Sequence, residues 1–524
     1  MPPCAVALSL AAGGEQATDI DQLRAAPELF GTVASDATVS RFMSRIKDQP
    51  EAFAYGFATM TRSLRTKVWA AAGSRNPARL TAPVNPLIID IDASLVHVPS
   101  DKESSAGTYI GGYGFSPMIT MADYGKMNGT GEVLAVQLRP GNRSANSAKS
   151  HIEVLNQALA QLPDDFYDEH GNLCGEKILV RTDSAGSSRE FLHYLHSLGI
   201  QFFTSYSLPV LKERFIRWID EKKFWEPALT ADGDQRDDAW VIDASKAIEL
   251  KDYPAGTRIY LRAEPLHPGA KATLFDTDGN RVTAFLTNSP RFNVAFLDAR
   301  HRARGRCENR IKTLKSAGLG KLPYWSFAAN QAWAGLAMFA VNLVSWLQLA
   351  VLSGGHDAGR WDVKRWRYRL FSVAGKIVSG GRQRRLLIPK KRLKRSCYAS
   401  CKKASVRCSS GSGTASSLPE LAVALFFLLF RKVISVQVGG VWHPALVVQE
   451  FLACAQPETA TGNHLVVDFG GRVRRDETSG LVFLTRTEEA EDRRSTGHFA
   501  PISVDLSRLL APFLCALPEE SATN

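Results

Sequence analysis

The chain is predicted to fold as an α/β protein, a mixed sheet covered by helices. Three observations carry this. β-branched apolar runs cluster between residues 87 and 206, and helical periodicity alternates with them from about residue 149. The balance of 45% hydrophobic and 22% charged residues is that of a globular chain. At 524 residues there is material for about three domains. A formal net charge of +12 and a pI near 9.3 favour a polyanionic partner, nucleic acid or an anionic membrane surface.

In chain order, MPPCAVALSLAAGG has an apolar run but no basic segment before it, which argues against a signal peptide. Residues 15–80 read as helical, with Ser35 or Asp36 as the N-cap before Thr38. The helix after it carries Ser40, Arg41 and Arg45, which suit plain packing or entry into a DNA groove. After Pro86 the texture changes: LIIDIDASLVHV is a strand interrupted by Asp90 and Asp92. A glycine-rich loop, GTYIGGYGFSP, leads to the strands SPMITMADY and GEVLAVQLR, with the turn-prone KMNGTG between them. Asn142 and Asn146 in RPGNRSANS suit a turn or a DNA contact, the turn being the plainer reading. A helix from Lys149 to Leu162, the strand KILVRTD ending at Asp183, the helix SAGSSREFLHYLHSLG and the strand IQFFTSYS follow.

Between about Leu208 and Leu297 the alternation breaks into short strands, among them TRIYLRAE, ATLFDTDGN and RVTAFLTN, with a turn at Asp278–Gly279. This reads as a β-rich insertion, and His267 within it is left out of the site. The stretch Ala332 to Leu352 is apolar but broken by Asn342, Ser345 and Gln348, so a buried helix is expected rather than a membrane span. Leu421 to Phe430 is too short to span a bilayer. Beyond Gly354 the chain turns basic, with Trp361, Trp366 and Tyr368 interleaved, a pattern that fits phosphate contact plus stacking on bases. Cys397, Cys401 and Cys408 lack CxxC spacing and a nearby histidine, against zinc, and few cysteines fit a reducing cytosol.

The segment HRARGRCENRIKTLK, residues 301–315, places one acid among bases. On a helix, Arg304, Glu308, Lys312 and Lys315 share a face. Taken alone this is either a solvated helix with i,i+4 ion pairs or a carboxylate holding metal between phosphate-gripping cations. Asp92 lies inside a strand, where an uncompensated charge is costly, and Asp183 at a strand's C-terminal end, the usual edge for an α/β site. Together with Glu308, these acids suit two divalent ions, Mg²⁺ or Mn²⁺, for phosphoryl transfer on a nucleic-acid backbone. Asp90, two residues before Asp92, shares its face and is expected behind it.

These segments, in order, resemble a DDE transposase of a bacterial insertion sequence, of DDE domain group 1: DIDAS at 90–94, GGYGFSPMI at 111–119, LRPGNRSANSAKSHI at 138–152, LVRTDSAGSS at 179–188, HRARGRCENRIKTLKSAGLGKLP at 301–323 and FAANQAWAGLAMFAVNLVSW at 327–346. The resemblance covers about residues 13 to 390. It implies an RNase H-like catalytic core: Asp92 with Ser94 following as the first catalytic acid, Asp183 after Arg181 as the second, and Glu308 as the third. It further implies that Arg304, Lys312 and Lys315 contact transposon-end phosphates, with His301 standing where the family has tyrosine. The domains are then expected at 1–80 (helical, DNA-binding), 81–207 and 298–355 (the two parts of the core), 208–297 (β-rich insertion), 356–407 (basic, DNA-contacting) and 408–524 (an extension unlike the family's C-terminal end, opened by the linker-like CSSGSGTASS). The implied function is cut-and-paste transposition in the bacterial cytoplasm, on the nucleoid. A homodimer would act on double-stranded terminal inverted repeats and target DNA. The alternatives are a defective transposase that only binds DNA, and an RNase H-like nuclease that does not join.

Overall fold

The computed structural model describes residues 2–368 apart from 25–29, 31, 99–100, 126–129, 208–224, 267–268, 270–275, 278–279, 291 and 353–356; beyond 368 it describes short strands alone. His267, the Asp278–Gly279 turn, the cysteine cluster, the 421–430 run and most of the basic stretch after Gly380 lie outside the described residues.

Helices open the chain ahead of the sheet. Helix α1 is Pro2–Ala12, α2 Asp36–Asp48 and α3 Pro50–Ala71. Ser35 is the N-cap of α2, its hydroxyl accepting from Thr38 N as the sequence suggests. The strands β1 (Leu87–Ala93), β2 (Val96–His97), β3 (Ala106–Gly107), β4 (Tyr113–Phe115), β5 (Met118–Asp123) and β6 (Glu132–Gln137) follow. Then come α4 (Ala148–Leu159), β7 (Ile178–Thr182), α5 (Arg189–Ser197) and β8 (Gln201–Tyr206). Strands β9 (Glu226–Leu229), β10 (Gln235–Asp243), β11 (Arg258–Pro265), β12 (Asp276–Thr277) and β13 (Asn280–Thr287) precede α6 (Val294–Arg302), α7 (Gly305–Leu314) and α8 (Phe327–Leu347).

One large sheet organises these elements, in the order β6-β5-β1-β7-β8-β13-β11-β10-β9 with β12 on β13. Only β1–β7 and β7–β8 are parallel. The mixed α/β fold expected from the alternation is present. The strands of the 208–297 region do not form a sheet of their own: β13 pairs with β8 and carries the sheet onward. Periodicity marks a strand but not its partner, so the sequence could not show this. Alternate residues of β1 serve opposite faces: Ile89 and Ile91 pack with α4 and α5, while Asp90 and Asp92 turn to the α7 side.

Helix α8 is long and apolar enough to cross a membrane, yet 94% of that stretch is buried within the protein. The polar residues that interrupt it explain why. Asn342 clasps the edge strand β6, accepting from Val133 N and donating to Val133 O, both at 2.8 Å. Three turns earlier Gln331 does the same with Leu138 N (2.7 Å) and Val136 O (2.8 Å). The two amides close an edge that would otherwise template another strand.

A buried carboxylate fastens the N-terminal helices to this layer. Glu132 pairs with Arg65 of α3 at 3.0 Å and accepts from Trp69 Nε1 (2.9 Å), Trp346 Nε1 (2.7 Å) and the Tyr124 hydroxyl. Both charges are fully buried, so removing one strands the other. Glu132→Leu is expected to cost about 3–5 kcal/mol in urea unfolding. A loss below about 1 kcal/mol would show that the cluster is not a fastening.

Past α8, Trp361 and Trp366 are buried in the core rather than offered to bases, and Tyr368 is exposed. Arg367 joins the end of α1 to the segment after α7, donating to Ala11 O, Leu10 O and Ser316 O; burial pushes its pKa down to about 10. A run of cations and aromatics thus reads the same in sequence whether it faces DNA or closes a core.

Candidate active site

The sheet topology brings two of the expected acids together. Strands β1 and β7 are parallel neighbours with Asp90 beside Arg181, so two residues further on Asp92 and Asp183 stand side by side at the same sheet end. Asp183 follows β7 directly and caps the next turn, its Oδ1 accepting from Ala185 N at 3.0 Å. Glu308 comes from the other direction, on the exposed surface of the first turn of α7, where a negative charge is favourable.

Asp92 feels the charge of the other two. The pKa of Asp92 is pushed up to about 6, first by burial and then by the charges of Asp183 and Glu308, against the opposing pull of Arg304. Arg304 Nη2 lies 3.1 Å from Asp92 Oδ2, and Lys315 donates to Leu95 O at 2.7 Å within the electrostatic reach of Asp92. Among the described residues no three His, Cys, Asp or Glu groups converge at metal-binding distance. The donor chemistry nonetheless fits a divalent cation: hard carboxylate oxygens, mutually repelling, with a guanidinium already standing against one of them.

The basic residues of α7 divide. Arg304 and Lys315 lie on the Asp92 side with Glu308. Lys312 instead lines a cavity of about 570 Å³ with Arg306, Asn309, Lys364 and Arg365. At 3.6 residues per turn Lys312 is turned about 40° from Glu308 and about 60° from Lys315, enough to put it on the cavity edge of that face, and the chain also breaks between α6 and α7 at Ala303–Arg304.

His301 ends up in an aromatic stack, its ring 4.8 Å from that of Phe285 and 6.1 Å from that of Phe203. Its Nε2 is bonded to Ser205 Oγ at 3.2 Å. Burial, then Arg181, Arg304 and Arg302, push its pKa down to about 3, so the ring is neutral at physiological pH. As for any group whose pKa falls on folding, stability is full above the unfolded value of about 6.5 and declines as pH drops towards 3. The His301 Cε1 proton shift is therefore expected to stay flat by NMR between about pH 5 and 8; a midpoint inside that window would contradict the stack.

Asp90 lies inside a buried charge network. Arg181 grips it bidentately at 2.7 and 2.8 Å and reaches Asp123 Oδ2 at 2.7 Å. Arg310 meets Asp123 at 2.8 Å and Asp90 at 3.4 Å, and Arg306 meets Asp123 at 2.6 Å. Burial favours the neutral form of Asp123, yet Arg310, Arg181 and Arg306 outweigh it and hold its carboxyl well below the usual carboxylate range. The register has a consequence. Asp90 is two residues before Asp92, Arg181 two before Asp183, and Arg306 and Arg310 two on either side of Glu308. One network behind the site clamps the three backbones that carry the acids. Asp123, Arg306 and Arg310 are not distinguished by the sequence reading. The one signal for them is an acid closing an otherwise apolar strand, MITMAD, near two arginines that flank the lone glutamate.

Residues 5–407 match the transposase DDE domain group 1 family. Among solved structures, the chain is similar to the cryo-EM structure of a piggyBac transposase synaptic complex with hairpin DNA, at 8% identity and a TM-score of 0.31, covering 64% of this chain. The chain spans 57% of the length of that protein. No curated protein matches. The family match runs from α1 past Tyr368, takes in Asp92, Asp183 and Glu308, and covers well over half of the 524 residues, so the chain belongs to the DDE transposase family.

Proposed function

We propose that the protein is a cut-and-paste transposase of a bacterial insertion sequence, working in the cytoplasm on the nucleoid with an RNase H-like core. The observation that carries this is the meeting of Asp92 and Asp183 on adjacent parallel strands, with Glu308 close enough to raise the Asp92 pKa. Asp92, Asp183 and Glu308 would hold two Mg²⁺ or Mn²⁺ ions. Such ions, when bound, supply an activated water or hydroxyl and stabilise the leaving oxygen.

The chain's own groups do the rest. Arg304 is poised to exchange Asp92 for a phosphate oxygen, since its Nε is buried with no acceptor among the described residues. Lys315, beside Leu95, contributes charge to the same phosphate. Lys312 takes a phosphate further from the cut, on the cavity side of α7. His301 sets the angle between the sheet and α6 through its stack rather than touching DNA. Asp90, with Arg181, positions Asp92 and Asp183. Both transposon ends have to be held together, which calls for a homodimer on double-stranded terminal repeats and target DNA.

The test uses the full chain with Mg²⁺ or Mn²⁺ and the inverted-repeat DNA that flanks its gene. Nicks exposing 3′ hydroxyls, followed by products joined to a target plasmid, are expected. Nicking without joined product would favour a nuclease. Binding without nicking, unchanged by Asp183→Ala, would favour a protein that only binds DNA.

A further inference from the structure

The small sheet β2-β4-β3 continues the β1–β5 pair beyond the end that carries Asp92. Its tip is the turn Thr108–Gly112, and there the surface is unusual. Tyr109 is 88% exposed, Ile110 61% and Tyr113 61%. Leaving three large apolar side chains in water on one short turn is unfavourable unless something covers them.

The turn is built to hold them still. Thr108 N donates to Gly112 O (2.9 Å), Gly111 N to Thr108 O (3.1 Å) and Thr108 Oγ1 to Gly111 O (2.6 Å). Gly111 and Gly112 take φ of +88° and +77°, which side chains resist. The loop after β6 docks onto this ribbon. Gly141 N donates to Gly114 O at 3.0 Å, and a Cβ at Gly141 would meet Ala106 O at 2.5 Å. Arg139, 5% exposed, locks the junction by donating to Ser116 O and Ser144 O.

Charge tells what covers the tip. Residues 106–119 and 138–152 hold Arg143 as their exposed cation with no acid paired to it among the described residues, while Arg139 is buried, Lys149 stands 4.0 Å from Glu153, and Asp101 and Glu103 lie at the foot of the ribbon before β3. Asn142 and Arg143 are exposed on the docked loop. Exposed rings beside an amide and a guanidinium suit nucleic acid, with bases stacked on the rings and a phosphate on the cation. Position agrees: Tyr113 is five residues from Met118, the cross-strand partner of Ala93, so it lies at most about 23 Å from the acid end of β1. At 3.4 Å per step along a strand, that is about seven nucleotides.

We propose that the Tyr109–Ile110–Tyr113 tip is a stacking site for unpaired DNA bases within about seven nucleotides of the scissile phosphate, with Asn142 and Arg143 on the adjoining backbone. The inference rests on the transposase reading, but its test needs neither metal nor cleavage.

The probes are a forked duplex with 5-iodouracil in a short unpaired arm and the fully paired duplex of the same sequence. The full chain is expected to prefer the fork by about ten-fold, one stacked base being worth ~1–3 kcal/mol. Irradiation is expected to cross-link Tyr109 or Tyr113, found in the tryptic peptide Glu103–Lys126. Tyr109→Ala with Tyr113→Ala should remove the fork preference and leave duplex binding and melting temperature unchanged; Tyr109→Phe should keep the preference. A preference untouched by the double alanine, or a cross-link confined to other peptides, overturns the proposal. So does a double-alanine variant that loses its oligomeric state without DNA, because the tip would then be a protein interface. If the protein nicks its ends yet shows neither fork preference nor cross-link, this inference fails alone. If it binds no DNA, the transposase reading fails with it.

Discussion

Asp92→Asn is expected to make the metal-free protein more stable at about pH 7.5 while lowering strand cleavage by at least about 10³-fold. The reason is a carboxylate held ionised where it is unwelcome. Burial, Asp183 and Glu308 together outweigh Arg304 and put its pKa at about 6. A carboxyl whose pKa rises on folding costs nothing below its unfolded value of about 3.9 and becomes a liability as pH climbs through 6. The cost above that window is on the order of 2–3 kcal/mol, which an amide of the same shape avoids. Thermal melts at about pH 4 and pH 7.5 should show the two proteins converging at the acid end and the variant ahead at the neutral end. Adding Mg²⁺ should reverse the order, because ligand binding stabilises the native state of the protein that binds it. A variant less stable than wild type at neutral pH without metal would mean that the Arg304 pair, not repulsion among acids, governs Asp92.

Arg181→Met is expected to cost about 3–5 kcal/mol of stability in denaturant titration, together with loss of cleavage. Methionine fills much of the space but leaves Asp90 and Asp123 facing each other with less positive charge between them. Arg181→Lys restores the charge but not the bidentate fork on Asp90, so it should recover part of the stability and little of the cleavage. Because Asp123 is held below the usual carboxylate range, this contribution persists above the unfolded value of about 3.9 and fades only as pH falls beneath it. A loss under about 1 kcal/mol for Arg181→Met would show that the strands carry the acids without the clamp.

Much of this site is legible in the sequence because its elements have strong local signatures. Asp92 sits in a β-branched strand and Asp183 directly after another, both of plain period, and Glu308 is the one acid in a basic helix. The polar residues inside α8 argue correctly against a membrane span, although their actual task, closing the edge of β6, depends on a partner 195 to 209 residues away. Side chains with two plausible environments are harder to read. His301 has the spacing of a phosphate contact and lies in an aromatic stack. Trp361 and Trp366 have the company of DNA-stacking residues and lie in the core.

The sequence by itself determined most of the strands and helices, though not the hairpin within GTYIGGYGFSP or the helix Pro2–Ala12, and it determined which acids stand out from their surroundings and the family to which they belong. Tertiary structure alone decided which cations face those acids and which are spent elsewhere. Arg304 and Lys315 stand by Asp92, Lys312 lines a separate cavity, and Arg181, Arg306 and Arg310 are consumed in holding Asp90 and Asp123. The physical reason is that periodicity is a local property, set by backbone geometry over a few residues. The partner of a buried charge is chosen by strand register and helix rotation between segments far apart in the chain, and neither leaves a mark on the residues nearby.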